Sequence, residues 1–418
     1  MTLTDLKKRA LNAFLVGVQA ADPELALTKA FEKQSLPPLS GGRYIVISIG
    51  KAACKMAETA IKHLPQDTEF TAVAVTNYEN QTDVSGCTVF GASHPIPDEN
   101  GFAAAKFIMN LLADTHSNDC VVACISGGSS ALLPAPVTGV SLQDKIGVNK
   151  LLLSSGLDIT QMNLLRQSLS DLKGGGLLTL AAPAQVRSYI LSDVIGDDLR
   201  VVGSGPSTPP IGTTAQARQL VEDAGIWDQL PETVQKYLRD PKPDAAIKTS
   251  IEPILIGGNR QSAAAMAQAV GAQLAEAPLI GDVQEAAQIV ANQVMQAQPG
   301  IPFAMAFGGE TTVQLKGNGK GGRNQELALR VAQLLQQASW SKPWVFLSGG
   351  TDGLDGPTDA AGGMVDTTTL QTIKAQGGDF SRLLANNDSY AALKIADALL
   401  IIGATGTNVA DIQLFLSE

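Results

Sequence analysis

The sequence predicts an α/β fold made of two domains. Its 418 residues are more than one ordinary domain holds. Short apolar segments rich in Val and Ile alternate with alanine-rich helical patterns, which is typical of βαβ units and a mostly parallel sheet. The apolar segments lack strict alternation with polar residues, as expected for strands that are buried on both faces of a sheet.

In the first half, residues 4–32 have a helical pattern, and four predicted strands follow. Each predicted strand is a short run that is too rich in β-branched residues for a helix. The strands are residues 44–49, 72–76, 121–125 and 189–191, and a further helix covers residues 52–63. All but the second strand run directly into a segment rich in Gly, Ser or Asp.

The second half is predicted to begin after a linker. Residues 228–250 are polar and contain three prolines, which favours a connection between domains. Strands are then predicted at 254–256, 303–307, 344–347 and 399–402, with a hairpin partner at 311–315. Ligands of open α/β sheets bind at the carboxyl ends of the strands, so we expect two such edges to face each other across a cleft.

Composition excludes several classes of partner. The net charge is −10 and the chain has no long basic run, so nucleic acid and anionic membrane surfaces are not expected partners. No apolar run approaches the ~20 residues of a membrane span, and the N-terminus lacks a signal-peptide pattern. We therefore expect a soluble, cytoplasmic protein. The cysteines, which form no zinc-type pattern, are interpreted as buried free thiols: Cys54, Cys87, Cys120 and Cys124.

A glycine-rich segment at residues 317–326 is the most informative stretch of the chain. It contains Lys320 and Arg323, and a helical pattern starts directly after it. Glycines let backbone N–H groups surround an anion, and a helix N-terminus adds partial positive charge. The segment therefore predicts a site for a phosphate or a carboxylate.

Two strand ends in the first half also have the chemistry of an anion site. The segment Ser126-Gly127-Gly128-Ser129-Ser130 can surround an anion with N–H groups and hydroxyls. Lys51 lies between a strand and a helix, where it could neutralise charge on a transferring phosphoryl group. The alternatives are a tight strand–helix turn and a solvated surface lysine.

Acidic residues follow the same kind of strand end. Carboxylates near phosphate loops commonly hold Mg²⁺, which uses one or two of them and keeps most of its waters. Ordinary turn aspartates are the alternative, and we expect it to hold for at least half of the six residues. They are Asp193, Asp197, Asp198, Asp352, Asp355 and Asp359. Among the three histidines, only His94, in a proline-rich loop, has a site-like context.

Familiar nucleotide and hydrolase fingerprints are missing. The first strand leads into Gly50-Lys51, and it lacks the G-x-G-x-x-G pattern of a dinucleotide site. The Gly-Lys pairs at residues 50–51 and 319–320 do not fit a Walker A loop. Gly203-Ser204-Gly205 lacks the spacing of the G-x-S-x-G nucleophile elbow. If a nucleotide binds, it binds without these fingerprints.

Taken together, the motifs resemble those of the class II glycerate kinase family, whose C-terminal part is called the MOFRL domain. The similarity covers nearly the whole chain, and the order and number of the motifs make it specific. The matching segments are residues 48–53, 94–98, 125–133, 173–175, 191–197, 308–313, 321–326, 349–353 and 405–408.

The resemblance implies a fold and an activity. The fold would be an N-terminal Rossmann-like domain, residues 1–245, with a parallel sheet between helices, and a C-terminal MOFRL-type α/β domain, residues 246–418, with a mixed sheet. The activity would be transfer of the γ-phosphoryl group of ATP, with Mg²⁺, to D-glycerate, giving 2-phosphoglycerate and ADP in the interdomain cleft. The protein would be a monomer or homodimer.

The resemblance also assigns residues to roles. The family's essential lysine and arginine fall on Lys51 and Arg323, which together with Asn324 would bind glycerate. The nucleotide phosphates would lie on residues 126–130 and 203–205. We expect Asp193 to contact Mg²⁺ or orient the attacking hydroxyl, with Asp352 as the second metal candidate.

The sequence departs from the family's pattern at two places, and two other functions are alternatives to a kinase. Ser129 stands where the family often has a third glycine, and Gln167-Ser168 replace a more basic pair next to Arg166. One rival is an NAD(P)H-dependent hydroxypyruvate reductase, which the missing G-x-G-x-x-G disfavours. The other is a non-catalytic sensor of a small phosphorylated acid.

Overall fold

The predicted α/β architecture is confirmed by a computed structural model. It describes residues 2–241, 252–296, 302–338, 340 and 342–418. The chain forms two compact units, Pro23–Ile256 and a second one that joins the N-terminal segment through Asp22 to Gly257–Glu418.

The elements up to residue 257 build a six-stranded sheet of order β3-β2-β1-β4-β5-β6. In chain order they are α1 (Leu3–Ala20), α2 (Pro23–Lys33), β1 (Tyr44–Ile49), α3 (Ala53–Lys62), β2 (Phe70–Asn77), β3 (Cys87–Ala92), α4 (Glu99–Ala113), β4 (Cys120–Ile125), α5 (Ser129–Leu132), α6 (Leu142–Ser154), α7 (Ile159–Ser168), α8 (Gly176–Ala181), β5 (Gln185–Leu191), α9 (Thr214–Asp223), α10 (Glu232–Arg239) and β6 (Ile254–Gly257). The pairings among β1 to β5 are all parallel. Every residue of β1 and β4 is buried, as predicted for strands covered on both faces.

The later elements build a seven-stranded sheet with β12-β11-β10-β13-β9-β7 as its path and β8 paired to β9. They are α11 (Asn259–Val270), β7 (Gln273–Leu274), β8 (Leu279–Asp282), α12 (Val283–Met295), β9 (Phe303–Thr312), α13 (Arg323–Gln337), β10 (Trp344–Gly350), β11 (Gly362–Asp366), α14 (Thr369–Ala375), α15 (Phe380–Ala385), α16 (Ser389–Ile395), β12 (Leu399–Leu400) and β13 (Asp411–Ser417). β13 is antiparallel to both neighbours, whereas β7 and β8 run parallel to β9. The predicted mixed sheet is thus confirmed.

Two strand predictions in the second half need correction. Residues 311–312 continue β9, and the predicted hairpin partner at 311–315 does not form. The antiparallel partner of β9 is β13, which the sequence reading missed although all its residues are buried. A strand in the middle of a sheet can carry polar residues such as Gln413 when the tertiary structure buries them, and this obscures its apolar pattern.

The predicted linker at residues 228–250 is only in part a connection. α10 lies within it and buries Val234 and Leu238 in the same cluster as residues of α9. β6 was expected in the C-terminal domain, but it joins the sheet of β1 to β5. The predicted boundary between residues 245 and 246 lies outside the described residues and stays a prediction.

The first helix was placed in the N-terminal domain by the sequence reading, but it packs in the other unit. Leu6 and Phe14 of α1 lie in one apolar cluster with Met266 of α11 and with Ile412 and Leu414 of β13. The sequence shows that α1 is amphipathic, but it does not show which surface its apolar face covers.

We expect Phe14→Ala to lower the free energy of unfolding by about 3–5 kcal/mol, since it empties a fully buried aromatic site in this cluster. Urea denaturation measures the change. The matched control is Leu15→Ala on the same helix, whose side chain is 42% exposed and whose loss should cost much less. Equal losses in the two variants would contradict the packing of α1.

The structure also bears on the cysteines and on the question of a membrane-spanning helix. The four cysteines are free, with Cys87 half-buried and the other three buried. No helix in the described part of the chain is both long and apolar enough to cross a membrane.

Candidate functional site

The parallel register brings two strand-end loops together in the Pro23–Ile256 unit. Ile49 of β1 is paired with Ile125 of β4, so both strands end at the same level. The Lys51 N–H donates to the Gly127 carbonyl over 2.9 Å, and the Ala52 N–H donates to Ser126 Oγ over 3.1 Å. The predicted lysine and the predicted glycine–serine loop are therefore adjacent.

The two glycines of this loop leave room for the functional side chains. Gly128 has a φ of +83°, and a Cβ there would lie 3.3 Å from Lys51 Cγ and 3.2 Å from the His94 ring. A Cβ on Gly127 would lie 2.1 Å from Asp193 Oδ2. Only glycine at these positions permits the close approach of Lys51, His94 and Asp193 to the loop backbone.

The charges in this cluster act on one another. Burial raises the pKa of Asp193 above its ordinary value, against the opposing effects of the Lys51 charge and the Gly128 N–H. Burial and the charge of Lys51 both lower the pKa of His94. The site therefore presents a lysine and a partly desolvated carboxyl group beside backbone N–H groups, as phosphoryl-transfer sites do.

The second predicted phosphate segment lies against the first. Ser204 Oγ is 2.9 Å from Ser130 Oγ and donates to Asn163 Oδ1 over 2.7 Å. A Cβ on Gly203 would lie 2.0 Å from Ser129 Oγ. Among the described residues, Ser129 Oγ is one of the buried side-chain atoms without a hydrogen-bond partner. The structure thus brings residues 126–130 and 203–205 together in one unit.

Arg323 lies in the other unit, in contact with two carboxylates. Its Nε and one terminal nitrogen donate to the two oxygens of Asp411 over 2.6 and 3.0 Å. The third nitrogen is 3.2 Å from Glu310 Oε1. Burial lowers the pKa of the guanidinium, but the bonds and charge of Asp411 outweigh it and leave the pKa above its ordinary value. Asp411 was not singled out from the sequence, where it sits in the strand that was missed.

Many N–H groups of the glycine-rich segment at 317–326 are bonded to oxygens of the protein itself. The N–H groups of residues 316–320 donate to oxygens of Asn386, Asn387 and Asp388. At the start of α13, Asp355 accepts the N–H groups of Asn324 and Gln325 over 3.2 and 2.9 Å. Asp355 is therefore one anion at this helix N-terminus. The binding of a guest anion by this segment stays a prediction.

Most of the remaining candidates have structural partners. Asp352 accepts the Leu354 N–H over 3.0 Å in a turn, and Asp359 accepts the Tyr390 hydroxyl over 2.7 Å. Asp198 binds Arg200. The Asn324 side chain is buried and accepts the Ser348 hydroxyl over 2.6 Å. Within the described ranges, no three His, Cys, Asp or Glu side chains group together as metal ligands would.

We expect Asp355 to make stability depend on pH. Burial raises the pKa of Asp355 to about 6, which exceeds the value near 4 of an unfolded chain. Between these values the folded state binds more protons, so the contribution of Asp355 is complete below pH 4 and is lost as pH rises through 6. Relative to Asp355→Asn, the wild type should lose roughly 2–3 kcal/mol between pH 4 and 7 in urea denaturation. The control is Asp359→Asn, a substitution at an exposed position that leaves Asp355 in place. If the wild type lost the same free energy of unfolding relative to Asp359→Asn, Asp355 would not be the cause.

The sequence reading missed a cavity of about 230 Å³ beside the glycine–serine loop at residues 126–130. Its lining includes Lys145, Arg166 and Lys173 together with His94, Gly128 and Ser130. The matching segment Lys173-Gly174-Gly175 was the signal that could have drawn attention to it.

Comparisons with known proteins identify relatives along the whole chain. A family model described as "Domain of unknown function (DUF4147)" matches residues 9–239, and the MOFRL family model matches residues 303–411. A D-glycerate 2-kinase of Thermotoga maritima is 38% identical, with 98% of each chain covered. A glycerate 2-kinase of Pyrococcus horikoshii is 35% identical, over 99% of this chain and 98% of the relative.

A solved structure agrees with the fold. The crystal structure of a glycerate kinase from Thermotoga maritima superposes with a TM-score of 0.90 at 36% identity, covering 99% of this chain and 100% of that one. One relative, from Agrobacterium vitis and 35% identical over 100% of this chain and 96% of its own length, is named provisionally as a hydroxypyruvate reductase. The chain belongs to the class II glycerate kinase family, whose C-terminal part is the MOFRL domain.

Proposed function

We propose that the protein transfers the γ-phosphoryl group of ATP to the 2-hydroxyl of D-glycerate, giving 2-phosphoglycerate and ADP. One observation carries the proposal. Lys51, Asp193 and the Gly127-Gly128 backbone converge at the carboxyl edge of a parallel sheet, in a chain whose relatives are named glycerate 2-kinases. We further propose that the reaction takes place in a cleft between the N-terminal and C-terminal domains.

The proposed roles follow from charge and position. Lys51 would neutralise negative charge on the transferring phosphoryl group, which is the main electrostatic requirement of such reactions. The segments 126–130 and 203–205 would hold the nucleotide phosphates through their N–H groups and hydroxyls. Arg323 would bind the glycerate carboxylate, with Asn324 supporting its position through the start of α13.

Asp193 has two proposed roles at the same position. Its raised pKa suits a carboxylate that orients the attacking hydroxyl and accepts its hydrogen bond. Its oxygens also suit Mg²⁺, which takes one or two protein carboxylates beside substrate phosphates. Asp352 is the second candidate ligand. When bound, Mg²⁺ would supply positive charge to the phosphate oxygens.

The deciding experiment is an assay with ATP, Mg²⁺ and D-glycerate, in which enolase coupling identifies the product. We expect ADP release and a product that enolase accepts. ADP release without enolase turnover would overturn the 2-position. Reduction of NAD(P)⁺ by glycerate, with no ADP, would favour the reductase. Ligand binding with no turnover of either kind would favour a sensor.

The compartment, the oligomeric state and the partners of the protein are also proposals. We propose that it acts in the cytoplasm as a monomer or homodimer, with a small-molecule substrate and without nucleic-acid or membrane partners. The net charge of −10 supports this choice of partners.

A further inference from the structure

The cavity beside Ser130 contains three cationic side chains for which the proposed reaction has given no role. Lys145 comes from α6, Arg166 from α7, and Lys173 from the segment just before α8. All of them belong to the Pro23–Ile256 unit. Three elements that are apart in sequence thus bring positive charge to one cavity of about 230 Å³.

The hydrogen bonds of these cations go to neutral oxygens. Lys145 Nζ donates to a backbone carbonyl, that of Leu169, over 3.0 Å. Lys173 Nζ donates to the Ser130 carbonyl over 2.6 Å. Arg166 donates through two nitrogens to a side-chain amide oxygen, over 2.9 and 2.6 Å. Neutral acceptors orient the cations but do not cancel their charge.

The surrounding charges are mostly of the same sign. Lys145 and Arg166 are the charges that act on Lys173, and both disfavour its protonated form. The charge of Arg166 also lowers the pKa of Lys145, whereas the charge of Asp171 raises it. Like charges held together in a partly buried space are costly, and an entering anion would relieve that cost.

The walls of the cavity strengthen this effect. Apolar side chains form much of its lining and lower the local dielectric, so a charge–charge attraction inside is stronger than on the open surface. They are Pro95, Pro97, Ala131, Pro134, Val148, Leu153 and Leu169. The cavity also reaches Gly128 and Ser130, which places it directly beside the proposed phosphate loop.

We propose that Lys145, Arg166 and Lys173 form an oxyanion-binding subsite that takes a charged group of a substrate. The shared chemistry is a compact oxyanion, and it has two possible sources: the phosphate chain of the nucleotide and the carboxylate of the acid acceptor. The identity of the source rests on the proposed kinase function. The binding of an oxyanion by these three residues does not.

The protonation of the lysines gives the subsite a distinctive pH dependence. Burial lowers the pKa of Lys145 to about 7 and that of Lys173 well below its ordinary value. The charged or titratable groups that face Lys145 are Arg166, Lys173, Asp171 and, across the cavity, His94. Because only the protonated lysine attracts an anion strongly, oxyanion affinity should weaken as pH rises from 6.5 to 8.5.

Equilibrium dialysis with labelled sulfate tests the subsite directly. Sulfate keeps two charges over this pH range, and a Lys51→Met background removes a competing cation at the neighbouring loop. We expect Arg166→Met and Lys145→Met each to weaken sulfate binding at least about tenfold, because each removes a charged donor. Lys150→Met, an exposed lysine on the same helix α6, is the matched control and should bind as the background does.

Three further readouts guard against an effect of misfolding. Lys145→Met replaces a desolvated charge with an apolar side chain of similar length, so its urea midpoint should be no lower than that of the parent. Its sulfate affinity should also lose the part of the pH dependence that comes from Lys145. Arg166→Lys keeps the charge and should retain part of the binding that Arg166→Met loses. Unchanged sulfate affinity in both methionine variants would overturn the subsite.

Steady-state kinetics of the same variants, with Lys51 intact, identifies the source of the oxyanion. A KM for ATP raised at least fivefold assigns the subsite to the nucleotide phosphates, and the same increase for D-glycerate assigns it to the acceptor carboxylate. Both KM values unchanged would overturn a role in substrate binding. A wild-type protein that forms no ADP would refute the kinase proposal, and the sulfate measurement would still decide whether the subsite exists.

Discussion

Replacing Lys51 by alanine is expected to lower kcat for glycerate phosphorylation by about 10²–10³-fold while the protein stays folded. Lys51 is the cation at the carboxyl end of β1, beside the Gly127-Gly128 backbone and Asp193. In the reaction, negative charge on the phosphoryl oxygens must be neutralised in a site with little water, where one preorganised cation has a large effect.

The fold should survive because the side chain of Lys51 contributes little to it. The hydrogen bonds that tie Lys51 to its neighbours are made by its backbone, from its N–H to Gly127 and to its carbonyl from Asn80. Lys51→Met is the closest isostere without the charge. Both variants should unfold at nearly the wild-type urea concentration.

The control for Lys51 is Lys55→Ala in the following helix. Lys55 is exposed and pairs with Glu24 on the surface, so its removal should leave turnover unchanged. Near-normal kcat in Lys51→Ala would refute the assignment of this residue to phosphoryl transfer. A kcat equally reduced in Lys55→Ala would show that the loss does not come from the site.

Replacing Arg323 by alanine is expected to lower both activity and stability. Asp411 is fully buried and holds Arg323 through two hydrogen bonds. Removing the guanidinium leaves that carboxylate buried without its cation, which costs about 3–5 kcal/mol. Loss of activity in this single variant therefore cannot by itself assign Arg323 to the substrate.

A second substitution separates the two roles. In Arg323→Ala/Asp411→Asn the buried charge is removed as well, so the urea midpoint should recover most of its loss. Turnover should stay at least about 10²-fold below wild type, because the proposed clamp on the glycerate carboxylate is still missing. If the double variant regains both stability and turnover, Arg323 serves only the fold.

The Asp411→Asn single variant completes the cycle. It keeps the guanidinium and one neutral acceptor, so we expect a modest change in KM for glycerate and little change in the fold. Coupling between the two positions, measured in the free energy of unfolding, should be large because the side chains are in direct contact.

Some strands of the first sheet could be located from local residue patterns alone. β1 and β4 were placed from their β-branched runs alone, because a strand buried on both faces consists mostly of apolar residues. The sequence also placed Lys51 and residues 126–130 at strand ends, and the parallel pairing of β1 with β4 makes them neighbours. Strand β3 was missed because its half-buried residues give a weaker pattern.

The glycine-rich segment shows that a pattern can predict the chemistry of a site without identifying every partner in it. Its glycines and the helix after it do create an anion site, as the sequence indicated. One anion there is Asp355, which lies about thirty residues further along the chain and accepts the N–H groups of Asn324 and Gln325. A carboxylate that the fold itself supplies cannot be distinguished in the sequence from one that a ligand would supply.

By itself, the sequence determined the α/β class, the strand-end position of Lys51 and the glycine loops, and the family, because these depend on local residue patterns and on motif order. Only the tertiary structure decided that α1 packs against α11 and β13, that Asp411 holds Arg323, and that Lys145, Arg166 and Lys173 line one cavity. The physical reason is that the partner of a side chain is selected by packing and burial between segments far apart in the chain. No periodicity or spacing within one segment contains that information.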